Sequence, residues 1–234
     1  MNTELSYDKL LRYDLGKGVE AFSTRRDSVL PYPVVTGHQV HETRIAVIDS
    51  QKTSLEDLEG YDAFVTDKPG IAIGVRTADC VPVLLYDPVK QVVAAIHAGW
   101  KGTVQRITQK TVVFMQQKFG TSPEGIKAMI GPSISPDSFQ VGEEVVLYFK
   151  EQGFPLESIW FFNEGKGESP MYHGHHIDIW KANAWLLEQS GVNPVYIQKA
   201  GIDTYTDGSF FSARREGVTC GRIISAIKLG YPKF

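Results

Sequence analysis

The pattern of apolar and polar residues predicts mainly β-strands in the first hundred residues of the chain. Residues 19–23 alternate between apolar and polar side chains, which is the period of a strand with one exposed face. Two apolar runs, residues 83–86 and 92–96, flank a turn at Asp87 and Pro88. A strand, a turn and a second strand in this order predict a β-hairpin.

After Gly102 the apolar residues recur with the period of a helix. The residues at helical spacing, before a stop signal at Gly120, are Val104, Ile107, Thr111, Phe114 and Met115. Asp178 is of a helix-capping type, and a second helix is predicted to run from it towards Gly191. Residues 153–174 are polar and irregular, which favours a surface loop. No repeat or Pro/Gly-rich linker interrupts the chain, so we predict one α+β domain with a mixed central β-sheet.

The composition restricts the class of protein. The chain has 234 residues, of which 42% are hydrophobic, and a formal net charge of −3 at pH 7. This length is enough for one large domain with a core or for two small ones. The slightly acidic balance and the scattered basic residues argue against a broad nucleic-acid-binding surface. No apolar stretch is long enough to span a bilayer, and residues 1–9 lack the apolar core of a signal peptide.

Cys80 and Cys220 are the only cysteines in the sequence. Two free thiols in a reducing cytoplasm are the simplest interpretation, and a single structural disulfide is the alternative. A domain of this size does not need a disulfide for its stability, so the cytoplasm is the predicted location.

Cys80 and His97 stand at the ends of the two strands of the predicted hairpin and are therefore expected to lie close together. A thiolate beside an imidazole serves either as a nucleophile with its base or as two ligands of a metal ion. Lys101 lies where a turn enters the predicted helix, and a helix N-terminus beside a lysine suits an anion such as phosphate. A solvated surface lysine is an equally good interpretation of Lys101.

The other histidines fall into two groups. His38 and His41 lie just before a predicted strand, whereas His173, His175 and His176 fall in the predicted loop. The loop cluster has the residue type of a metal site, but solvated side chains are the better interpretation in a polar loop. A single histidine is more often a hydrogen-bonded structural residue than a ligand, so neither group identifies a site by itself.

Several motifs of the chain resemble those of the YfiH-like, laccase-domain family. They are residues 39–41 (QVH), 76–82 (RTADCVP), 97–102 (HAGWKG), 130–134 (IGPSI) and 210–215 (FFSARR). The resemblance implies a single domain over residues 1–234, with a mixed β-sheet core layered with helices in an α/β/β/α sandwich. The family is often labelled multicopper polyphenol oxidase. The activity that the resemblance implies is that of a zinc-containing purine nucleoside phosphorylase, with adenosine deaminase and methylthioadenosine phosphorylase activity in the same site.

The resemblance makes His41, Cys80 and His97 the zinc ligands. Three protein ligands leave a fourth position for water or substrate, which is the pattern of a catalytic zinc site. Laccase chemistry needs many more histidines, disposed as several copper sites, than the six in this sequence. The oxidase label is therefore disfavoured as a description of the chemistry.

The substrates that the resemblance implies are purine nucleosides and phosphate. Arg76, Lys101 and Arg214 are the candidates for holding the phosphate as it attacks the ribose C1′. Asp79, together with Cys80 and His97, is a predicted catalytic residue, because its carboxylate could accept a hydrogen bond from a ribose hydroxyl or from the purine. Its alternative role is to cap the local turn. Zinc also suits the deamination of adenosine, because it lowers the pKa of bound water to about 7.

The chain departs from the family pattern outside the predicted zinc ligands. Asp203 precedes Thr204 where the family usually has a cysteine, and Asp137 and Ser138 replace cysteines after the IGPSI motif. The predicted zinc ligands are untouched by these changes. The resemblance therefore defines the zinc ligands better than it defines the substrate preference.

Three other functions are compatible with the same residues. Cys80 and His97 would form a metal-free thiol hydrolase or deamidase dyad if His41 oriented the imidazole. The three residues would also bind zinc in a non-catalytic binding module. The family label itself suggests a copper polyphenol oxidase.

Overall fold

The computed structural model describes residues 9–50, 56–165 and 173–231. Its strands are β1 (Leu11–Tyr13), β2 (Val19–Ser23), β3 (Ile45–Val47), β4 (Ala63–Thr66), β5 (Ala72–Thr77), β6 (Val81–Asp87), β7 (Val92–Ala98), β8 (Lys127–Ile130), β9 (Gln140–Val141), β10 (Trp160–Asn163), β11 (Gly174–Ile177), β12 (Ile197–Lys199) and β13 (Ile223–Leu229). Its helices are α1 (Trp100–Val104), α2 (Ile107–Phe119), α3 (Glu143–Glu151), α4 (Leu156–Ile159), α5 (Ile179–Gln189) and α6 (Ala213–Glu216). None of the helices in these three ranges is long and apolar enough to cross a membrane.

The strands form a six-stranded, a four-stranded and a three-stranded sheet. Their orders are β12-β8-β6-β7-β4-β3, β1-β2-β13-β5 and β10-β11-β9. β3 runs parallel to β4 and β12 runs parallel to β8, whereas β6, β7 and β8 are antiparallel neighbours, so the largest sheet is mixed. The predicted fold class, an α+β domain with a mixed β-sheet core, is confirmed.

The β6–β7 hairpin lies at the centre of the six-stranded sheet and is buried on both faces. Val83 and Leu85 belong to the core cluster that includes α2 and α5, while Leu84 and Tyr86 belong to the cluster between the two large sheets. Burying an aliphatic side chain of this size stabilises the fold by roughly 1.5–3 kcal/mol. Burial on both faces explains why the two strands are apolar at nearly every position, and the predicted hairpin is confirmed.

The molecule is layered as helices, the six-stranded sheet and the four-stranded sheet. The outer face of the four-stranded sheet presents Phe22 and Ala226, which residues 30–34 cover. These covering residues form neither a helix nor a strand. Pro31 and Pro33 lack the backbone N–H group that a helix needs, which disfavours a helix here.

Both predicted helices are present, although the first is interrupted. Arg106 has a φ of 66° and separates α1 from α2, so the helical pattern before Gly120 falls on two helices. Gly120 ends α2 with a φ of 70°, a conformation that glycine adopts without strain. Asp178 accepts a hydrogen bond from the backbone N–H of Lys181 and so begins α5 as predicted.

The prediction of a surface loop over residues 153–174 is wrong in part. α4, β10 and the start of β11 lie in this range, and residues 166–172 lie outside the described residues. β10 is a short edge strand with exposed Trp160 and Phe162, so no run of buried residues marks it in the sequence. His175 and His176 consequently lie on β11. His176 is buried and its Nδ1 donates to the carbonyl of Pro136, so it is not a solvated loop residue.

Candidate metal centre

The structure brings His41, Cys80 and His97 together at one end of the β6–β7 hairpin. Cys80 directly precedes β6, and the pairing of β6 with β7 places the start of β6 opposite His97. His41 reaches this point from the loop of residues 37–42, named here the His41 loop. One ligand atom of each residue lies within 4.8 Å of the other two, and Cys80 Sγ is 3.7 Å from His41 Nε2. The predicted proximity of Cys80 and His97 is confirmed.

Gly99 makes this close approach possible. A Cβ atom at Gly99 would lie 2.9 Å from Cys80 Sγ and 3.0 Å from Cδ2 of His41. Both distances are well below the usual separation of non-bonded heavy atoms. Any side chain at this position would therefore push the two candidate ligands away from the backbone that follows β7.

Asp62 orients two of the three residues and was not identified from the sequence. Its carboxylate is fully buried and accepts hydrogen bonds from the backbone N–H groups of Val40 (3.2 Å), His41 (2.9 Å) and Glu42 (3.0 Å). The Nδ1–H of His97 donates to the same carboxylate at 2.7 Å. This leaves Nε2 of His97 for a contact with Cys80 or with a metal ion, which is the arrangement of metal-binding histidines.

The His41 loop needs this carboxylate for a second reason. His41 has a φ of 65°, which is in the left-handed region and costs roughly 1–2 kcal/mol for a residue with a Cβ atom. Three charge-assisted hydrogen bonds to consecutive amides offset that cost. A signal for Asp62 was present in the sequence, because it is an acidic residue directly before a buried strand, β4. A carboxylate that is buried at such a position needs hydrogen-bond donors around it.

The protonation of the site favours a thiolate. Burial alone would raise the pKa of the Cys80 thiol, but the charge of His97 and the hydrogen bonds from His41 and His97 outweigh it and lower the pKa to about 6. Burial would lower the pKa of His97, but the Cys80 thiolate and Asp62 raise it to about 9. Burial likewise opposes the charge of Asp62, yet its hydrogen bonds hold the pKa of the carboxyl below its ordinary value. A thiolate is the form that both a nucleophile and a metal ligand need.

The three side chains fit a zinc ion. Two nitrogens and one sulfur form a donor set that zinc prefers, with Zn–N and Zn–S distances of about 2.0–2.3 Å. Ligands at those distances and at a tetrahedral angle lie roughly 3.5 Å apart, close to the 3.7 Å between Cys80 Sγ and His41 Nε2. Among the described residues, these three form the one group of at least three His, Cys, Asp or Glu side chains that could hold a metal ion.

A cavity of about 620 Å³, named here the larger cavity, opens over this group. Arg76 and Arg222 line it together with the His41 loop and the three candidate ligands. Gln39 fixes the backbone of Arg76, because its amide accepts from Arg76 N at 2.8 Å and donates to Arg76 O at 2.9 Å. The guanidinium of Arg222 donates to the carbonyls of Val218 and Gly221. Arg222 lines the cavity but was not among the residues predicted to bind substrate.

The predicted phosphate ligands differ in their surroundings. The exposed guanidinium of Arg76 has no hydrogen-bond or ion-pair partner among the described residues and lines the larger cavity. Lys101 is exposed on α1, lies against the ring of Trp100 and is not among the residues that line this cavity. Arg214 is held by the carbonyl of Gln140, to which its Nη2 donates at 3.1 Å. Of the three predicted phosphate ligands, Arg76 alone lines the larger cavity.

Asp79 connects segments that are distant in the sequence. Its Oδ1 accepts from the hydroxyl of Thr204 at 2.7 Å, and its Oδ2 accepts from the backbone N–H of Arg214 at 2.6 Å. Its carbonyl accepts from the N–H of Ile134. A direct contact of Asp79 with substrate stays a prediction. The hydrogen bonds show that the carboxylate positions the segment that carries Arg214 beside the candidate ligand Cys80.

Ser138 and Asp203, two of the residues that differ from the family pattern, contact each other. The hydroxyl of Ser138 donates to Asp203 Oδ2 at 2.6 Å, and Ser135 donates to the same carboxylate through its N–H and its hydroxyl. Burial opposes the charge on Asp203, but these hydrogen bonds hold the pKa of its carboxyl below the ordinary value. Asp203 and Ser138 therefore belong to one hydrogen-bonded unit that directly precedes Thr204 in the chain.

Known proteins resemble this chain in sequence and in fold. Residues 19–230 match the family model described as multi-copper polyphenol oxidoreductase laccase. The chain is 42% identical to a protein of Bacteroides thetaiotaomicron named purine nucleoside phosphorylase, over 91% of this chain and 82% of the relative. It is 43% identical to adenosine deaminase RL5 of an unknown prokaryotic organism, over 83% of this chain and 74% of the relative. The crystal structure of the hypothetical protein YfiH of Bacillus licheniformis has the same fold, with a TM-score of 0.84 at 24% identity over 97% of this chain and 98% of that one.

These similarities agree with the motifs found in the sequence. The matched range, residues 19–230, contains the three candidate ligands and all the motifs on which the resemblance rested. The relatives carry names of enzymes that act on purine nucleosides, whereas the family description refers to copper. On the extent of the family match and the identity with these relatives, the chain belongs to the YfiH-type, laccase-like family.

Proposed function

We propose that this chain is a zinc-dependent purine nucleoside phosphorylase that also deaminates adenosine. The observation that carries the proposal is the group of His41, Cys80 and His97 at the base of a cavity that Arg76 also lines. The substrates are adenosine, inosine and methylthioadenosine, with inorganic phosphate. The names of the relatives support these two reactions. Both cysteines are free in the structure, which supports a cytoplasmic location.

The metal would be held by Nε2 of His41, the thiolate of Cys80 and Nε2 of His97. A zinc ion with three protein ligands supplies a Lewis acid with one open coordination position. Asp62 fixes the tautomer and the orientation of His97 through Nδ1 and holds the backbone of His41. The protein thereby sets the positions of two nitrogen ligands with one buried carboxylate.

In phosphorolysis, an oxygen of hydrogen phosphate forms a bond to the ribose C1′ as the bond from C1′ to the purine nitrogen breaks. The purine leaves with the electron pair of that bond and takes up the proton that the phosphate loses, so that the products are free base and ribose 1-phosphate. The guanidinium of Arg76 binds and orients the phosphate, because it is the cation of the larger cavity without a protein partner in the described chain. The hydrogen bond from Thr204 to Asp79 holds the segment that directly precedes Cys80.

The test is one incubation of each nucleoside with the zinc-loaded protein, with and without phosphate, read by chromatography. We expect free base and ribose 1-phosphate in the presence of phosphate only, and inosine from adenosine in both conditions. Free ribose formed equally well without phosphate would identify a hydrolase instead.

The copper oxidase suggested by the family description is tested in parallel. A multicopper centre needs several metal sites, whereas the described part of the chain offers the His41–Cys80–His97 group alone. We expect the copper-loaded protein to oxidise phenols no faster than free copper does. Robust phenol oxidation with no nucleoside turnover by either metal form would contradict the proposed function.

Replacing Arg76 with glutamine should raise the KM for phosphate about tenfold or more, because a charge-assisted hydrogen bond contributes about 1.5–3 kcal/mol. The KM for inosine should change little. Lys118→Gln removes an exposed cation at the end of α2 and serves as the matched control. An unchanged KM for phosphate in the Arg76 variant would exclude Arg76 as the phosphate ligand.

A further inference from the structure

We infer that the purine base binds in a second cavity, between Trp100 and Phe139, while phosphate binds in the larger cavity. This second cavity, named here the smaller cavity, has a volume of about 270 Å³. The inference rests on the proposed function and specifies which part of the substrate each cavity takes.

The smaller cavity has the walls of an aromatic binding site. Seven of the ten described residues that line it are apolar, and they are Ala78, Trp100, Ile134, Phe139, Ile179, Ala213 and Val218. A purine is a flat aromatic ring, and rings of this kind bind against indole and phenyl faces in largely apolar cavities. The larger cavity has no phenylalanine, tyrosine or tryptophan among its described lining residues.

The polar residues of the smaller cavity suit the edge of a base. Asp79 and Arg214 line it and supply one acceptor and one donor group. Arg214 is anchored by Gln140 and lies over the ring of Phe139, with 5.8 Å from its Cζ to the ring centroid. A purine carries ring nitrogens and an exocyclic group on its edge, which such a pair can recognise by hydrogen bonds.

Charge favours the larger cavity for phosphate. The Asp79 carboxylate lines the smaller cavity and would repel a phosphate dianion placed there. Arg214, the cation of the smaller cavity, already donates to a carbonyl, whereas the guanidinium of Arg76 in the larger cavity has no hydrogen-bond or ion-pair partner among the described residues. The two cavities thus differ in charge. The larger one suits the phosphate anion, and the smaller one suits the uncharged base.

The position of Cys80 connects the two cavities. Both cavities are lined by Ala78, Cys80, Ala213 and Val218, so they meet along these residues. Phosphorolysis requires the attacking phosphate and the departing base on opposite sides of the ribose C1′. With the base in the smaller cavity and the phosphate in the larger one, the ribose lies at the junction beside Cys80.

The test measures the binding of adenine and of inorganic phosphate separately, by calorimetry on the zinc-loaded protein. Trp100→Leu and Phe139→Leu each remove an aromatic face and keep an apolar side chain. Each should raise the Kd for adenine about tenfold, as expected for the loss of one base-stacking contact, and leave the Kd for phosphate unchanged. Arg76→Gln should weaken phosphate binding and spare adenine. Phe162→Leu replaces an exposed phenyl group on β10, outside the lining of both cavities, and is the matched control.

Zinc content and thermal unfolding show whether each variant is folded, and the use of two independent aromatic positions guards against a single unstable variant. The inference would be overturned if both leucine variants bound adenine as tightly as the unmodified protein does. It would also be overturned if both variants lost adenine binding and phosphate binding equally. If the unmodified protein cleaves nucleosides in that case, the proposed function stands and the subsite assignment alone is wrong. If the unmodified protein neither binds adenine nor cleaves any nucleoside, both are wrong.

Discussion

Replacing Cys80 with alanine should remove the metal and lower nucleoside turnover at least about 100-fold. The thiolate is one of three candidate ligands, and its loss leaves two imidazoles that cannot form a tight site alone. A catalytic metal contributes several kcal/mol to transition-state stabilisation, and each 1.4 kcal/mol is about a factor of ten in rate. Elemental analysis of the purified variant and a nucleoside assay measure the two effects.

Cys220→Ala is the matched control for loss of a thiol, because Cys220 is the other free cysteine and lines neither cavity. It should keep one zinc per chain and full turnover. Full zinc occupancy in the Cys80 variant would show that the ligand assignment is wrong.

Treatment with a chelator distinguishes the metal enzyme from a thiol hydrolase. The metal enzyme loses activity and regains it with zinc, whereas a Cys80–His97 dyad would act without metal.

Replacing Asp62 with asparagine should weaken zinc binding about 10- to 100-fold, the usual effect of losing the carboxylate behind a metal-binding histidine. It should also lower the free energy of unfolding by roughly 3 kcal/mol, because a buried carboxylate that accepts charge-assisted hydrogen bonds is lost. Four N–H groups point at this carboxylate, and the amide NH₂ of asparagine would face at least one of them as a second donor. Zinc affinity is measured by competition with a chelator, and stability by urea denaturation.

Asp87→Asn provides the comparison for Asp62. Asp87 is also buried, but it lies at the other end of the hairpin, and its Oδ2 has no hydrogen-bond partner among the described residues. An asparagine there keeps the oxygen that accepts from the N–H groups of Val89 and Lys90. Zinc affinity should be unchanged in this variant. Equal zinc affinity in the Asp62 variant and the unmodified protein would refute the role assigned to Asp62.

The sequence by itself determined the elements that depend on neighbouring residues. Two apolar runs on either side of Asp87 and Pro88 have few alternatives to a hairpin, and a hairpin necessarily brings the residues at its open end together. Gly120 and Asp178 act on the backbone within one helical turn, so their effects are visible locally. For the same reason, the proximity of Cys80 and His97 could be predicted before the structure was known.

The tertiary structure alone decided how the rest of the site is assembled. Asp62 holds the His41 loop from the start of β4, and Asp79 binds Thr204 and Arg214, which are more than a hundred residues away. Such contacts form only when separate segments pack together, and no local pattern of side chains records them. The two cavities that meet at Cys80 arise in the same way, because their walls come from strands, helices and loops whose relative positions are set by the packing of the whole fold. Hydrophobic periodicity reports which face of an element is buried, whereas the partner of that face is determined by the free energy of the whole fold.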